Sequence, residues 1–266
     1  MSFVELAAGR VHYRLEGSAG APVIVLSNSL GATLSMWDPQ VAPLSRRFRV
    51  LRYDTRGHGL SSAPAGPYTL EALGGDVLEL LDALRIDRPH FCGLSMGGLI
   101  GLWLGIHAGG RLERLVVCNT AARVGTADAW NSRMAAVRSG GMKAVTPALL
   151  ERWFTAAFRE SSPRAIESTQ KMLLQAPAEG YLACCEAVRD ADLRERVGEV
   201  KARTLVISGA SDPVTPPADG RFLAEKIPGA RYVELEAAHL SNIEAAAQFT
   251  DALLQFLSQA GEAKFA

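Results

Sequence analysis

The sequence has little cysteine and no charge bias. Its four cysteines, Cys92, Cys118, Cys184 and Cys185, contain no spaced pair of the kind that holds zinc. Cys92 and Cys118 lie inside apolar runs as buried thiols, and the vicinal Cys184-Cys185 is a poor disulfide candidate. This usage fits a reducing compartment. Lys plus Arg and Asp plus Glu both total 28, so the formal net charge is zero. There is then no overall field to gather nucleic acid or an anionic membrane surface. No stretch approaches the roughly 18 uninterrupted apolar residues of a membrane helix. The start, Met1-Ser-Phe-Val-Glu5, lacks the basic and apolar regions of a secretory signal. The expected location is the cytoplasm. No Gly-rich loop ends in Lys-Ser or Lys-Thr for phosphate, and Gly57-His-Gly59-Leu-Ser-Ser62 lacks the third glycine of a dinucleotide loop. Asp54 and His58 are too few for a metal site. Nothing in the sequence sets an oligomeric state.

What is present is an ordinary globular composition, 48% hydrophobic and 21% charged over 266 residues. Short apolar runs alternate with helical patterns. Val11 to Glu16 alternates apolar and polar, as a half-exposed strand does. Pro22 to Leu26 is a β-branched run, the mark of a strand buried on both faces. Phe48 to Tyr53, His90 to Leu94, Leu115 to Cys118 and Thr204 to Ser208 read similarly, and Tyr232 to Leu235 more weakly. Helices are expected over Leu70 to Leu84, Gly97 to Ala108, Pro217 to Lys226 and Glu244 to Leu257. This alternation predicts an α/β fold, a mostly parallel sheet with helices on both faces.

From about residue 121 to 196 the rhythm breaks. Helical patterns there carry Trp130, Met134, Val137, Leu149, Leu150, Trp153, Phe154 and Phe158, punctuated by Pro147, Pro163 and Pro177. The chain therefore divides into a first part of the core (1–120), a helical lid or cap (121–196) and a second part of the core (197–266). The tail from Gln259 is expected to be frayed.

The chemistry centres on Gly93-Leu-Ser95-Met-Gly97. An apolar run ends there and a helix starts at once, so Ser95 must occupy a sharp strand-to-helix turn beside free helix N–H groups. A plain Gly/Ser turn is the rival reading. A nucleophilic serine needs a base, and the sequence has five histidines. His12, His58, His90 and His107 read as structural or exposed. His239, in Glu236-Ala-Ala-His239, follows the last strand, where parallel sheets place reactive groups. Asp212, in Gly209-Ala-Ser-Asp212, follows the preceding strand and suits the orienting acid; the rival is an Asp that shapes a turn before Pro213. The loop after the earlier strand offers only Asn119, which carries no charge. The oxyanion hole is expected to pair the N–H of Met96 with that of Leu30.

With these residues in view, the chain resembles the α/β-hydrolase superfamily along nearly its whole length. More narrowly it resembles the 3-oxoadipate enol-lactonases. The carrying segments are Ser27-Asn-Ser-Leu-Gly31, Leu51-Arg-Tyr-Asp-Thr-Arg-Gly-His-Gly59, Gly93-Leu-Ser-Met-Gly-Gly98, Asp212-Pro-Val-Thr-Pro-Pro217 and Ala238-His-Leu-Ser-Asn242. Asn28-Ser29 departs from the His-Gly of most superfamily members, a departure the enol-lactonases share. The resemblance implies the α/β-hydrolase fold with an eight-stranded sheet, and a Ser95, His239, Asp212 triad. It also implies hydrolysis of a small enol-lactone bearing an acetate arm to 3-oxoadipate, a step of aromatic-compound catabolism, with neither metal nor organic cofactor. Arg133 or Arg138, which flank the helical face shared by Trp130, Met134 and Val137, would meet the substrate carboxylate, with Trp153 closing the apolar side. The plainer reading of the arginines is solvated charge on a packed lid. Two other classes stand beside this one: an esterase, perhydrolase or carbon–carbon hydrolase of the same fold, and a ligand-binding receptor that reuses it.

Overall fold

The apolar runs form the inner strands of one eight-stranded sheet. In the computed structural model, which describes residues 2–259, the strands are β1 (Ser2–Leu6), β2 (Gly9–Glu16), β3 (Val23–Ser27), β4 (Arg49–Tyr53), β5 (His90–Leu94), β6 (Arg114–Cys118), β7 (Arg203–Gly209) and β8 (Arg231–Leu235). Their order is β1-β2-β4-β3-β5-β6-β7-β8. The β1–β2 and β2–β4 pairs are antiparallel, and every later pair is parallel. β5 and β6 are buried at every position. That is why they read as unbroken apolar runs rather than alternating ones.

The helices are α1 (Asp38–Leu44), α2 (Leu70–Ala83), α3 (Met96–His107), α4 (Ala127–Gly140), α5 (Thr146–Trp153), α6 (Ala156–Ser161), α7 (Pro163–Leu174), α8 (Ala178–Asp190), α9 (Pro217–Lys226), α10 (Ser241–Glu244) and α11 (Ala246–Leu257). Thr69 starts α2, its hydroxyl accepting the Ala72 N–H at 3.1 Å, so one otherwise unpaired N–H of the first turn is satisfied. α3 packs on β5 and β6 and against α2, α9 packs on β7, and α1 packs on α11. α4 to α8 lie between β6 and β7. Their apolar stripe, including Trp130, Met134, Leu149, Trp153 and Phe154, is buried. No helix among the described residues is long and apolar enough to cross a membrane.

Three elements differ from the sequence reading, among them the short helix α1, which it did not include. β1 is an additional strand, a short edge strand with largely exposed side chains, so burial imposed no pattern on it. The expected helix over Glu244 to Leu257 is broken at Ala245, which lies at φ −112°, ψ 45°. The break leaves the Glu244 carboxylate free to accept the Ala238 N–H at 2.9 Å and the Thr155 N–H and hydroxyl. Glu244 thereby ties the loop before α10 to the end of α5. The tail from residue 260, expected to be frayed, lies outside the described residues.

Candidate active site

Ser95 is the single residue between β5 and α3, at φ 57°, ψ −114°. A non-glycine residue reaches that conformation only when its surroundings over-determine it. The surroundings here are tight. A Cβ on Gly93 would lie 2.0 Å from the Gly97 carbonyl oxygen, and one on Gly97 would lie 2.2 Å from that of Ser27. The glycines two before and two after the serine are therefore packing requirements. Three hydrogen bonds fix the turn: Ser95 N–H to the Cys118 carbonyl at 2.9 Å, Gly97 N–H to that of Asn28 at 3.0 Å, and the Thr120 hydroxyl to that of Ser95 at 2.8 Å.

Asp212 lies in the loop after β7 and His239 in the loop after β8. Both are buried, 3% and 1% exposed, so every polar atom needs a partner. His239 Nδ1 lies 2.8 Å from Asp212 Oδ2. Asp212 also accepts from Asn119 Nδ2 (3.0 Å), the Thr215 hydroxyl (2.8 Å), Val214 N–H (2.7 Å) and Thr215 N–H (3.1 Å). Burial would raise the Asp212 carboxyl, but the His239 charge and the hydrogen bonds from His239, Asn119 and Thr215 outweigh it and hold it at about 2. An ionised Asp212 assigns the ring proton to Nδ1 and leaves Nε2 as the basic nitrogen. Asn119, the neutral residue after β6, thus takes part as a donor. It also holds the Ala238 carbonyl at 3.1 Å and accepts the Ser241 hydroxyl at 2.5 Å, with its own backbone at φ 44°.

The loop after β3 is suspended from the segment after β4. Asn28 Nδ2 donates to the Tyr53 carbonyl (2.7 Å), Gly31 N–H to His58 Nε2 (2.8 Å) and Leu34 N–H to Asp54 Oδ1 (2.8 Å). His58 is fully enclosed, and burial lowers its affinity for a second proton against the opposing pull of the Arg56 carbonyl and Asp54. It stays neutral, as the bond from Gly31 requires. Among the described residues, neither the Leu30 nor the Met96 N–H donates to an acceptor.

Ser95, His239, Leu30 and Met96 line one cavity, together with Trp130, Arg133, Trp153 and Tyr181 from the helices between β6 and β7. The cavity is narrow, about 20 Å³, room for roughly one water. Trp130 Nε1 donates to the Val124 carbonyl at 2.7 Å, and the Arg133 guanidinium sits 4.4 Å over the Trp130 ring. The Trp153 and His239 rings are 6.4 Å apart. Tyr181 is fully buried, with its hydroxyl facing Arg133 and Cys185. Arg138 is not brought to this cavity; it is exposed, 3.6 Å from Glu186. Asn119, Thr215 and Tyr181 are the parts that sequence reasoning did not place in the site, while Arg56-Gly-His58-Gly, read as structural support for the site's edge, holds Gly31 through His58. Of these, Asn119 had a signal in its place at a strand end, and Thr215 in the segment Asp212-Pro-Val-Thr-Pro-Pro217. No group of three or more His, Cys, Asp or Glu side chains converges as a metal site among the described residues.

The family profile of the α/β hydrolase fold matches residues 22–246. The chain is 46% identical over 243 residues to 3-oxoadipate enol-lactonase 2 of Acinetobacter baylyi, covering 91% of each chain. An enol-lactonase from Burkholderia xenovorans LB400 superposes with a TM-score of 0.96 at 51% identity, covering 97% of this chain and 100% of that one. A hydrolase from Pseudomonas aeruginosa PA01 does so with a TM-score of 0.94 at 48% identity, covering 97% and 98%.

Proposed function

The chain belongs to the α/β hydrolase fold family, and from that premise we propose that it hydrolyses 3-oxoadipate enol-lactone to 3-oxoadipate through a serine acyl-enzyme. One observation carries the chemistry: Ser95 and His239 line one cavity with two uncommitted N–H groups, while Asp212 holds His239 from behind at 2.8 Å. The substrate is taken from the enol-lactonases that the chain resembles.

Ser95 Oγ attacks the lactone carbonyl as His239 Nε2 takes its proton. The carbonyl oxygen becomes an oxyanion between the Leu30 and Met96 N–H groups, each such donor being worth about 3 kcal/mol. Asp212 stays ionised and stabilises the imidazolium. Collapse breaks the ring C–O bond, and the leaving enolate oxygen remains tethered to the acyl group. A tethered nucleophile has an effective concentration of roughly 10⁵ M or more in favourable cases, so the ring would reclose. Proton transfer to carbon from protonated His239, directly or relayed through a nearby water, converts the enol to a ketone, returns His239 to its neutral form and removes that nucleophile. Water then attacks the acyl-serine, His239 takes its proton, and Ser95 regains one as the acid departs. Arg133, aimed into the cavity from α4, meets the acetate carboxylate; its planar fork suits that group. Trp130 and Trp153 supply the apolar walls.

The test is turnover of the enol-lactone against a panel of short 4-nitrophenyl esters. The expected kcat/KM for the enol-lactone exceeds that of any ester by about a hundredfold or more, and Ser95→Ala abolishes both. Preference for a short ester would make the protein an esterase of this fold. Tight binding with no turnover of any substrate would make it a receptor.

A further inference from the structure

Val124, Trp130, Arg133, Leu149 and Val214 line two cavities at once: the one at Ser95 and an outer chamber of about 270 Å³. Arg152 borders only the outer chamber. The five shared residues form a collar between the two. Exposed Gly125, Ala129, Ala144 and Ala148 bring the outer chamber to the surface. The lining holds two cations and no carboxylate. Among the described residues neither Arg133 nor Arg152 pairs with an acid, whereas Arg56 pairs with Asp76, Arg189 with Asp190 and Arg194 with Asp192. Asp212 is the acid whose charge reaches Arg152, but its oxygens are already committed to His239, Asn119, Val214 and Thr215. Burial, and then the neighbouring Arg133, push Arg152 below its usual range. Two like charges held in a partly buried space without a counter-charge are unfavourable until an anion joins them.

We propose that the outer chamber is a binding site for short dicarboxylates, with Arg152 and Arg133 as its anion contacts. The proposal rests on the reaction proposed above, which converts a lactone with one carboxylate into a product with two. The new carboxylate forms at Ser95, in the cavity that adjoins the outer chamber across the collar. Arg133 serves the substrate's single carboxylate. Arg152 is the second cation that the product's second charge calls for. Dicarboxylates of the product's length bind there and compete with substrate.

The test is calorimetric titration of adipate, and of neutral adipamide, into full-length Ser95→Ala protein. The same titrations are repeated with Arg152→Met or Arg152→Lys added, at low and high salt. Adipate should bind, and Arg152→Met should weaken it about tenfold or more. Arg152→Lys should recover part of the loss, and salt should weaken binding throughout. Adipamide should not respond to the substitutions. Melting curves establish that each variant is folded, and Arg152→Gln replaces the methionine variant if that one is not. Equal adipate affinity with and without Arg152, or no adipate binding to the Ser95→Ala protein, overturns the proposal. No turnover enters these readings. A failure of the enol-lactone assay would therefore strike the proposed reaction and leave the chamber's ligand class to be decided by the titrations.

Discussion

Below the cavity, the supporting polar side chains are already paired and the Leu30 and Met96 N–H groups are left open; above it, two guanidinium groups lack an acid partner among the described residues. Asp212 accepts from two side chains and two backbone N–H groups besides His239. The loop carrying Leu30 hangs from Asn28, Asp54 and His58. In the roof, Arg133 and Arg152 have no acid partner among the described residues, and the buried Tyr181 hydroxyl faces Arg133 and Cys185. The difference separates two tasks. The floor is preorganised for charge that develops during reaction, so its dipoles need not reorganise at that moment. The roof keeps donors that a ligand must satisfy, which is how a site rejects a ligand lacking the matching groups.

The largest effects should come from breaking the floor. Ser95→Ala, His239→Ala and Asp212→Ala should each lower kcat by roughly three to six orders of magnitude, and the losses should not add. Asp212→Asn should be severe because it favours the wrong tautomer of His239. Near-normal turnover by Asp212→Asn would mean another acid serves. Asp190 and Asp192 are candidates for that role, but they are engaged at the surface with Arg189 and Arg194.

The next effect depends on the substrate. A saturated lactone of the same size and arm cannot ketonise, so its alcohol can reattack the acyl-enzyme. It should bind Ser95→Ala about as well as the enol-lactone yet turn over far more slowly; similar kcat values would remove the ketonisation step.

Tyr181→Phe sharpens the roof side of the contrast. It deletes a buried hydroxyl that faces Arg133, so KM for the enol-lactone should rise while the melting temperature changes little. A fall in melting temperature with unchanged KM would mark the hydroxyl as structural.

His58→Gln probes the floor through pH. His58 is held neutral in the folded protein by burial, while the unfolded chain takes up a proton below about pH 6.5. The unfolded state therefore binds more protons there, and stability should fall as pH drops below that value. Asp54, the Arg56 carbonyl and the Cys184 thiol face the ring. Gln keeps an acceptor for Gly31 and should flatten the slope. His90, lowered to about 4, acts in the same direction in both proteins and cancels in the comparison. The smallest effect expected is Arg138→Met, which should leave both enol-lactone and ester kinetics within about twofold, as for an exposed ion pair.

The inner strands were legible because burial on both faces writes a continuous apolar run, as in β5 and β6. The edge strand β1 was not, since its side chains face water. Ser95 could be read because the glycines that its turn demands are visible as letters, and Asp212 and His239 because both follow strand ends. The supporting partners were hidden for a physical reason. Asn119 meets Asp212 across 93 positions of sequence, and Gly31 meets His58 across 27. Such pairings leave no local periodicity. The roof was legible as helices, but helical spacing placed Arg133 and Arg138 on equal terms. Only the packing of α4 turns Arg133 toward Ser95 and Arg138 toward Glu186.

The division between floor and roof is tested most directly by kcat and KM for the enol-lactone and for neutral 4-nitrophenyl acetate, in wild type, Ser95→Ala and Arg133→Met. Ser95→Ala should lose both activities. Arg133→Met should lower kcat/KM for the enol-lactone about tenfold or more beyond any change for the ester, as loss of a charged hydrogen-bond donor to a carboxylate predicts. Equal losses on the two substrates would contradict the assignment of carboxylate recognition to the roof.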